Sequence, residues 1–151
     1  MFTWHCKNFQ ELSTLELYAI LKARQDVFVI EQACIYPDFD GLDQQCLHLF
    51  ATLKDNSDII ISAYLRILPP NLQYSEASMG RVLTTHTSRG TGVGKVLVQK
   101  AINTIQNEYP LQPIRISAQH YLQIFYSRFG FKAISEIYEE DGIPHIAMLL
   151  K

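Results

Sequence analysis

The chain has 151 residues, of which 48% are hydrophobic and 19% are charged, and its formal net charge is −2. A chain of this length is typical of one domain, so we expect a single domain over residues 1–151 that buries its own core. The composition excludes a disordered chain, and the slightly negative charge argues against nucleic acid as the main partner.

Cysteine usage and hydropathy exclude further classes. The three cysteines, Cys6, Cys34 and Cys46, form no Cys-x-x-Cys pair and stand in no Cys/His cluster, so neither a disulfide framework nor a metal site is indicated. The first residues lack a basic segment followed by an apolar run, and apolar runs such as residues 59–68 are too short to span a bilayer. We therefore expect a cytoplasmic protein with no signal peptide and no membrane partner.

In the first half of the chain, hydrophobic spacing predicts a strand, a helical region, a loop and three further strands. Alternation of Phe2, Trp4 and Cys6 with polar residues is typical of a short strand. Pro37, Gly41 and three aspartates favour a loop after the helical region. The predicted bounds are a strand at 2–6, one or two amphipathic helices within 12–29, a loop at 33–45, strands at 47–53 and 59–68 with a turn at 55–58, and a strand at 78–84.

In the second half, strands alternate with helices. Pro110 ends the first helix, and Gly130 ends the second because glycine readily takes the left-handed conformation of a helix end. The predicted bounds are helices at 96–109 and 121–129 and strands at 114–118, 131–138 and 143–150. This order predicts an α/β fold with a mixed sheet, helices on its faces and a right-handed parallel crossover over residues 79–118.

The most informative segment is Arg89-Gly90-Thr91-Gly92-Val93-Gly94-Lys95, which stands between a predicted strand and a predicted helix. Three glycines let the backbone turn tightly and bring its N–H groups close to a ligand. The first turn of a helix has N–H groups without partners, and together with the helix dipole they attract phosphates. We therefore expect a phosphorylated cofactor here. The alternative is a glycine-rich turn that opens an ordinary surface helix.

Spacing excludes two common phosphate loops. A Walker A loop would need glycine where Arg89 stands and Ser or Thr where Val96 stands, so its Mg²⁺-binding hydroxyl is missing. A dinucleotide fingerprint would need its third glycine at Lys95 or Leu97. The pattern that fits is Arg-x-x-Gly-x-Gly, beginning at Arg89.

A second motif, Phe125-Tyr126-Ser127-Arg128-Phe129-Gly130-Phe131, ends the second predicted central helix. Aromatic residues on a helix face are usually core, but a tyrosine near the core surface needs a hydrogen-bond partner, which a ligand sulfur or amine supplies. Together, the Arg-x-x-Gly-x-Gly loop and this Phe-Tyr-x-x-x-Gly-Phe run resemble the GNAT superfamily of acyl-CoA-dependent N-acyltransferases. Residues 24–47 and 138–148 are similar to its ElaA-like branch.

The resemblance implies a GNAT-like fold, in which the mixed sheet is splayed between its fourth and fifth strands and acetyl-CoA enters the split. The fourth strand would offer backbone groups to the pantetheine arm, and the glycine loop would wrap the pyrophosphate. Many members place an asparagine early in the second central helix, where this chain offers Gln119 or Gln123. The implied cofactor-binding residues are Val82, Leu83, Thr84, Arg89, Gly90, Thr91, Gly92, Val93, Gly94, Lys95, Gln119, Phe125 and Tyr126.

The implied reaction moves an acetyl group from acetyl-CoA to an amine. It needs a neutral amine, a donor to the carbonyl oxygen and a proton for the leaving thiolate. In the family, the tyrosine of the second motif is the usual acid, so the resemblance assigns that role to Tyr126. The candidate bases are His145, Glu31 and His120, with His145 and Glu31 retained as catalytic residues, and water is the alternative.

The acceptor, a small-molecule amine or a peptide, is expected near the N-terminal helices and the loop that follows them. Aspartates in that loop favour either a funnel for a cationic amine or a solvated turn. Arginines elsewhere either pair with these aspartates or hold an acceptor carboxylate. The residues concerned are Asp38, Asp40, Asp43, Arg24, Arg66 and Arg81.

Several alternatives stay open. Amino acids, polyamines, peptide termini and aminoglycosides all suit the acceptor site, and a homodimer is compatible with the sequence. A non-catalytic acyl-CoA sensor and a synthase of acylated signalling molecules are alternative functions on related folds. The tyrosine of the second motif, retained beside an intact glycine loop, favours catalysis.

Overall fold

The centre of the fold is a mixed sheet in a computed structural model that describes residues 1–55 and 58–151. The eight strands within those ranges are β1 (Thr3–Asn8), β2 (Leu47–Asp55), β3 (Asp58–Leu68), β4 (Ala77–Thr84), β5 (Ile114–Gln119), β6 (Lys132–Ala133), β7 (Tyr138–Glu140) and β8 (Ile143–Leu150). Their order in the sheet is β1-β2-β3-β4-β5-β8-β6, and β7 also pairs with β8. The β4–β5 pair is parallel, and the other pairs are antiparallel. The turn predicted at residues 55–58 includes residues outside the described ranges.

Helices cover both faces of this sheet, as predicted. The helix α1 (Thr14–Arg24) begins with a capping box, in which Ser13 and Glu16 each bond the other's backbone N–H, and it continues into a π-helical segment, Gln25–Glu31. The helix α2 (Val93–Glu108) lies on the opposite face, and the short α3 (Gln123–Ser127) follows a 3₁₀ turn. On the α1 face, Ile20, Ala23, Val27, Phe28, Phe50, Ile61, Tyr64 and Leu83 pack together. On the α2 face, Leu97, Val98, Ala101 and Ile105 pack against Leu49, Leu65, Ile67 and Ile116.

The sheet opens between β4 and β5. These strands pair only at Ala77 with Ile114 and at Ser78 with Arg115. By contrast, β5 and β8 pair along their whole length, from Ile114 with Leu150 to Gln119 with His145. The rest of β4 therefore has a free edge toward β5. This confirms the expected splay between the fourth and fifth strands.

A bulge interrupts β4 beside the opening. Tyr64 pairs with Leu83 and Arg66 with Gly80, so two residues of β4 stand opposite one residue of β3. Arg81, the first of the two, has a φ of +51°, a conformation that side chains other than glycine rarely adopt. The bulge turns backbone groups of β4 out of the β3 ladder, at the point where the sheet splits.

Three predicted elements are wrong in their extent. The single strand predicted at 131–138 is replaced by β6, at 132–133, and β7, which begins only at Tyr138. Between them, Ser135 Oγ accepts the N–H of Ala147 at 3.0 Å and so takes a place that a backbone carbonyl would fill in a continuous ladder. The helix predicted at 121–129 is shorter, since residues 120–122 form a 3₁₀ turn and α3 ends at Ser127. The helix α2 begins three residues before the predicted start, directly after Gly92, whose φ is +81°.

Candidate active site

The opening between β4 and β5 is a cleft of about 920 Å³. The edge of β4 forms one wall, and β5 and β8 form the other. Residues within 27–36, from the π-helical segment and the loop that follows it, and within 121–126, around α3, add to the lining. Cofactor sites commonly measure about 300–1,000 Å³, so the cleft is large enough for an extended ligand.

On the β4 wall, the three residues predicted to contact the pantetheine arm, Val82, Leu83 and Thr84, all line the cleft. On their other side Leu83 pairs with Tyr64 and Thr84 pairs with Ala63 of β3. Within the described residues, no β5 partner occupies the cleft side of β4 beyond Ser78. That free edge suits an extended ligand with amide groups, which would bond to it as an added strand does.

The glycine loop stands at one end of this wall. Gly90 and Gly92 both have φ values near +80°, at +82° and +81°, so the left-handed conformation requires glycine there. Gly94 packs closely on β4, because a Cβ on Gly94 would lie 3.3 Å from Thr84 Cγ2. Thr91 Oγ1 donates to Ser88 O at 2.6 Å and so holds the turn closed.

The amides of this loop are free. Within the described chain, Val96 N is the first backbone N–H after Ser88 that finds a protein acceptor, donating to Gly92 O at 3.3 Å. Gly90, Thr91, Gly92 and Lys95 are exposed, while Val93 is buried in the core and anchors the start of α2. Unpaired N–H groups at the start of a long helix, with a lysine beside them, form a suitable anion site.

Arg89, the first residue of the loop, makes two contacts across the mouth of the cleft. Its Nη2 donates to Glu31 Oε1 at 2.7 Å and to Thr84 O at 2.8 Å. Glu31, a candidate base, therefore lies at the end of the π-helical segment and pairs with the glycine loop.

Tyr126 lies inside the fold and borders the cleft. Only 4% of the residue is exposed, and its ring meets those of Phe125 and Phe131 edge-on, at centroid distances of 5.1 and 6.0 Å. Phe125 also lines the cleft. No described residue hydrogen-bonds to the Tyr126 hydroxyl, and burial raises the pKa of Tyr126. The phenol is therefore protonated and available to a ligand.

The histidine candidates are in different environments. His145, on β8, is buried, lines the cleft and stacks on Tyr138 with ring centroids 6.2 Å apart. Its Nδ1 lies 2.7 Å from Ile143 O, and since a carbonyl only accepts, Nδ1 carries a proton. Its Nε2 lies 3.4 Å from Glu140 Oε2. His120 is exposed and does not line the cleft.

Gln119, at the end of β5, lines the cleft and bonds to Gln32, which directly follows the π-helical segment. Its Nε2 donates to Gln32 Oε1 at 3.2 Å, and the two amides form a bridge across the opening. Gln123, the alternative, does not line the cleft. A ligand that used the Gln119 amide would compete with Gln32.

Among the polar cleft residues missed in the sequence are Ser117 and Glu140, and Tyr138, which bonds to Ser117, was missed as well. Ser117 Oγ lies 2.5 Å from Tyr138 Oη and donates to Glu140 Oε2 at 3.4 Å. The strict alternation of β5, with Ile114, Ile116 and Ala118 buried between polar residues, was the available signal. It assigns the polar side chains to one face of the strand.

The aspartates of the loop after α1 are fully engaged with arginines. Arg24 donates to Asp38 at 2.9 Å and to Asp43 at 2.8 Å, and Arg66 donates to Asp43 at 2.9 Å and also to Asp40. Arg81 Nε lies 2.8 Å from Asp38 Oδ1. Three positive and three negative charges therefore balance in a mostly buried cluster. The arginines were expected either to pair with these aspartates or to hold an acceptor carboxylate, and the structure shows the pairing. It leaves no free aspartate in this loop for an electrostatic funnel.

The cluster also lowers the pKa values of two of its aspartates. Burial alone would raise the pKa of Asp43, but hydrogen bonds and charge from Arg24 and Arg66 outweigh it and lower that pKa below its usual range. The same balance of burial against Arg66 and Arg81 lowers the pKa of Asp40. Both carboxylates are therefore charged at neutral pH.

In residues 1–55 and 58–151, no three or more His, Cys, Asp and Glu side chains are grouped so as to hold a metal ion. Among the helices of those same ranges, none combines the length and the apolar character needed to cross a membrane.

Comparisons with known proteins agree with this geometry. Residues 45–151 match the family model of the acetyltransferase (GNAT) domain. The chain is 41% identical to a UPF0039 protein of Synechocystis sp. over 98% of its length and 94% of that protein. It is 40% identical to protein ElaA of Escherichia coli over 98% of its length and 95% of that protein.

Solved structures show the same relationship. An acyl-CoA N-acyltransferase from Pseudomonas aeruginosa is 39% identical, with a TM-score of 0.92 and full coverage of both chains. The crystal structure of Escherichia coli ElaA gives a TM-score of 0.90 at 38% identity, again over both whole chains. The chain therefore belongs to the GNAT acetyltransferase family and, within it, is an ElaA-like protein.

Proposed function

We propose that this protein transfers an acetyl group from acetyl-CoA to the primary amine of a small molecule or peptide. The proposal rests on one observation, which is that a single cleft brings three features together. Among the described residues, it has an unpaired strand edge for an amide-bearing arm, a phenol to which no side chain bonds and, at one end, free N–H groups for a diphosphate. Similarity to the acyl-CoA N-acyltransferase of Pseudomonas aeruginosa supports an acyl-CoA donor.

The donor binds along β4 in this proposal. The loop residues Arg89–Lys95 hold the diphosphate through backbone N–H groups and the charges of Arg89 and Lys95. The free edge at Val82–Thr84 bonds to the pantetheine amides. Phe125 and Gln119 contact the arm from the opposite side of the cleft, where both line it.

The bulge in β4 supplies the group that stabilises the thioester oxygen. Because Arg81 and Val82 share one opposite residue on β3, a backbone N–H there is free of the ladder and borders the cleft. A preorganised donor in a partly dry cleft stabilises the negative charge that develops on the carbonyl oxygen. The unusual φ of Arg81 is held by the contacts of its side chain with the aspartates.

Proton transfer in this proposal uses residues on opposite sides of the acetyl group. One proton leaves the ammonium before attack, and His145 Nε2 accepts it, since His145 lines the cleft and its Nδ1 is already bonded to Ile143 O. The neutral amine then attacks, the C–N bond forms and the C–S bond breaks. The departing thiolate takes a proton from Tyr126, and the second proton of the nitrogen restores the phenol through water. The products are the N-acetyl amide, free coenzyme A and the proton on His145, which is released to solvent.

Two measurements test the proposal. Acetyl-CoA at about 100 times its Kd is expected to stabilise the protein by about 2.7 kcal/mol, and ATP and NAD to stabilise it little. Release of free thiol is then measured with a panel of primary amines. Binding of acetyl-CoA without thiol release for any amine would support a non-catalytic sensor. Absence of binding would overturn the donor site.

A further inference from the structure

A polar surface forms the wall of the cleft opposite β4. Ser117 and Gln119 alternate with buried apolar residues along β5, and the register places Gln119 beside His145 of β8. Tyr138 of β7 pairs with His145 on the other side. These side chains share one face of the sheet, because residues directly opposite each other in a ladder point the same way.

Glu140 is the carboxylate on this surface, and it determines which of its neighbours donate hydrogen bonds. Ser117 Oγ donates to Glu140 Oε2 at 3.4 Å. Since the serine hydroxyl has one proton, its 2.5 Å contact with Tyr138 is then one in which the tyrosine donates. The Tyr138 proton therefore points to Ser117 Oγ, and the Ser117 proton points to Glu140.

The second neighbour of Glu140 is the imidazole of His145. His145 Nε2 lies 3.4 Å from Glu140 Oε2, and Nδ1 of the same ring already donates to Ile143 O. In a neutral imidazole, the lone pair of Nε2 thus faces a carboxylate oxygen. A protonated Nε2 would donate to Glu140 directly. When the ring is neutral, the two acceptors need a shared donor, and an ammonium group has enough N–H bonds to reach both.

The charges in the rest of the cleft also favour a cationic acceptor. The arginines that line it, Arg66, Arg81 and Arg89, are each paired with carboxylates within the described residues. Glu140 has no arginine or lysine partner there, and the neighbouring Asp141 adds a second negative charge at the rim. When a diphosphate engages Arg89, Glu31 also loses its cation. The acceptor side of the cleft is therefore negative.

We propose that Glu140 selects the acceptor by binding its ammonium group beside His145, and that the acceptor is a primary amine with no carboxylate on the amine-bearing carbon. The inference rests on the proposed transferase function and names its substrate class. An α-amino acid is disfavoured because its carboxylate would lie next to Glu140 and Asp141, with which no arginine or lysine of the described residues pairs. Arg115, on the same face of β5, is outside the cleft lining and stacks on Tyr74, with its guanidinium 4.7 Å from the ring centroid. Glu140 binds the ammonium, and His145 then accepts its proton.

Matched pairs of probes test this class. The wild-type protein is assayed by thiol release with tyramine against tyrosine, phenethylamine against phenylalanine and cadaverine against lysine. Each amine is expected to exceed its amino acid by at least about 10-fold in kcat/KM, the effect of one charged contact at a partly exposed site. Equal use of amines and α-amino acids would overturn the inference.

Glu140→Gln tests the residue itself. It is expected to raise KM for the amine about 10-fold, while the Kd of coenzyme A stays within about 2-fold of wild type. Glu139→Gln is the matched control, since Glu139 precedes it on the same strand, is exposed and points to the other face. An unchanged amine KM in Glu140→Gln would contradict the assignment.

A result with no turnover is also informative. If the wild type releases no thiol with any probe, calorimetry measures binding of the three amines to the protein loaded with coenzyme A. Binding that Glu140→Gln weakens and Glu139→Gln does not would support the amine site and overturn the transferase function. No binding, or binding that Glu140→Gln leaves unchanged, would overturn the amine site.

Discussion

Glu31 Oε1 lies 2.7 Å from Arg89 Nη2, so the acidic end of the π-helical segment is paired with the first residue of the glycine loop. Both side chains are more than a third exposed, at 37% and 41%. Ion pairs this exposed contribute only about 0–1 kcal/mol. A diphosphate can therefore replace the carboxylate at low cost, and the pair holds Arg89 near the site before the ligand binds.

Arg89→Gln is expected to raise the Kd of coenzyme A about 10-fold and to make that Kd less sensitive to salt, because one charge on the diphosphate is lost. Glu31→Gln removes the competitor and is expected to leave the Kd unchanged or to lower it by up to about 5-fold. Isothermal titration calorimetry at two salt concentrations measures both. Arg128→Gln, an exposed arginine outside the cleft lining, is the control. Equal weakening by Arg89→Gln and Arg128→Gln would remove Arg89 from the site.

Gly92→Ala tests the conformation of the loop. Gly92 has φ +81°, and an alanine there is expected to lower the free energy of unfolding by about 1–2 kcal/mol and to weaken coenzyme A binding, because the loop N–H groups turn away. Gly41→Ala is a matched control, since Gly41 has φ +80° and also has open space around its Cβ position. It should cost similar stability, measured by urea unfolding, without changing the Kd. Equal effects of both variants on binding would mean that the loop geometry is irrelevant to the ligand.

Motifs predicted the parts of the site that depend on local backbone geometry. The glycine loop could be read from sequence because the left-handed conformations at Gly90 and Gly92 and the start of α2 are local properties. The resemblance to a known family then supplied the splay between β4 and β5. Hydrophobic spacing alone gave a mixed sheet with helices on its faces, and nothing about where it opens.

Features that depend on register or on distant pairing could not be predicted. Glu140 faces the cleft only because β7 pairs with β8 as it does, and a slip of one residue would present Glu139 instead. The pairing of Arg24 with Asp43 joins residues 19 apart in sequence through the fold, so the sequence left two alternatives open. The break between β6 and β7 depends on one serine side chain that bonds Ala147, which no periodicity reports.

Tyr126→Phe is expected to keep the fold and to lower kcat by about 10²–10⁴-fold, because the departing thiolate loses its proton donor. Since burial raises the pKa of Tyr126, ionisation of the phenol should not reduce wild-type kcat below about pH 10. Steady-state kinetics with acetyl-CoA and a working amine measure both quantities. Tyr109→Phe, at the end of α2 and outside the cleft lining, is the control. Wild-type turnover in Tyr126→Phe would remove Tyr126 from the mechanism.

The base is identified by the acidic limb of the kcat profile. A base must be unprotonated to work, so kcat falls as pH drops through its pKa, and removing the base lowers kcat and flattens that fall. His145→Gln is expected to show this change. Glu31→Gln and His120→Gln are expected to keep the wild-type limb, the latter because His120 is exposed and outside the cleft lining. An unchanged limb in all three variants would favour proton transfer to water.

The arginine–aspartate cluster predicts acid sensitivity of folding. Asp43 contacts both Arg24 and Arg66, which are 0% and 2% exposed, so Asp43→Asn leaves two buried charges short of a partner and is expected to cost about 3–5 kcal/mol. Asp26→Asn is the control, because Asp26 forms an exposed helical pair with Lys22 and should cost less than about 0.5 kcal/mol.

The pH dependence follows from the lowered pKa values of Asp40 and Asp43. In the unfolded chain aspartate titrates near pH 3.9, so above that pH both states are charged and the stabilisation is fully present. As pH falls below about 4, the unfolded state takes up protons first, and the free energy of unfolding declines until the folded carboxylates also titrate. Asp43→Asn, lacking one of these groups, should show a shallower decline in urea unfolding between about pH 5 and pH 2. An identical slope in wild type and Asp43→Asn would mean that the cluster does not couple folding to protonation.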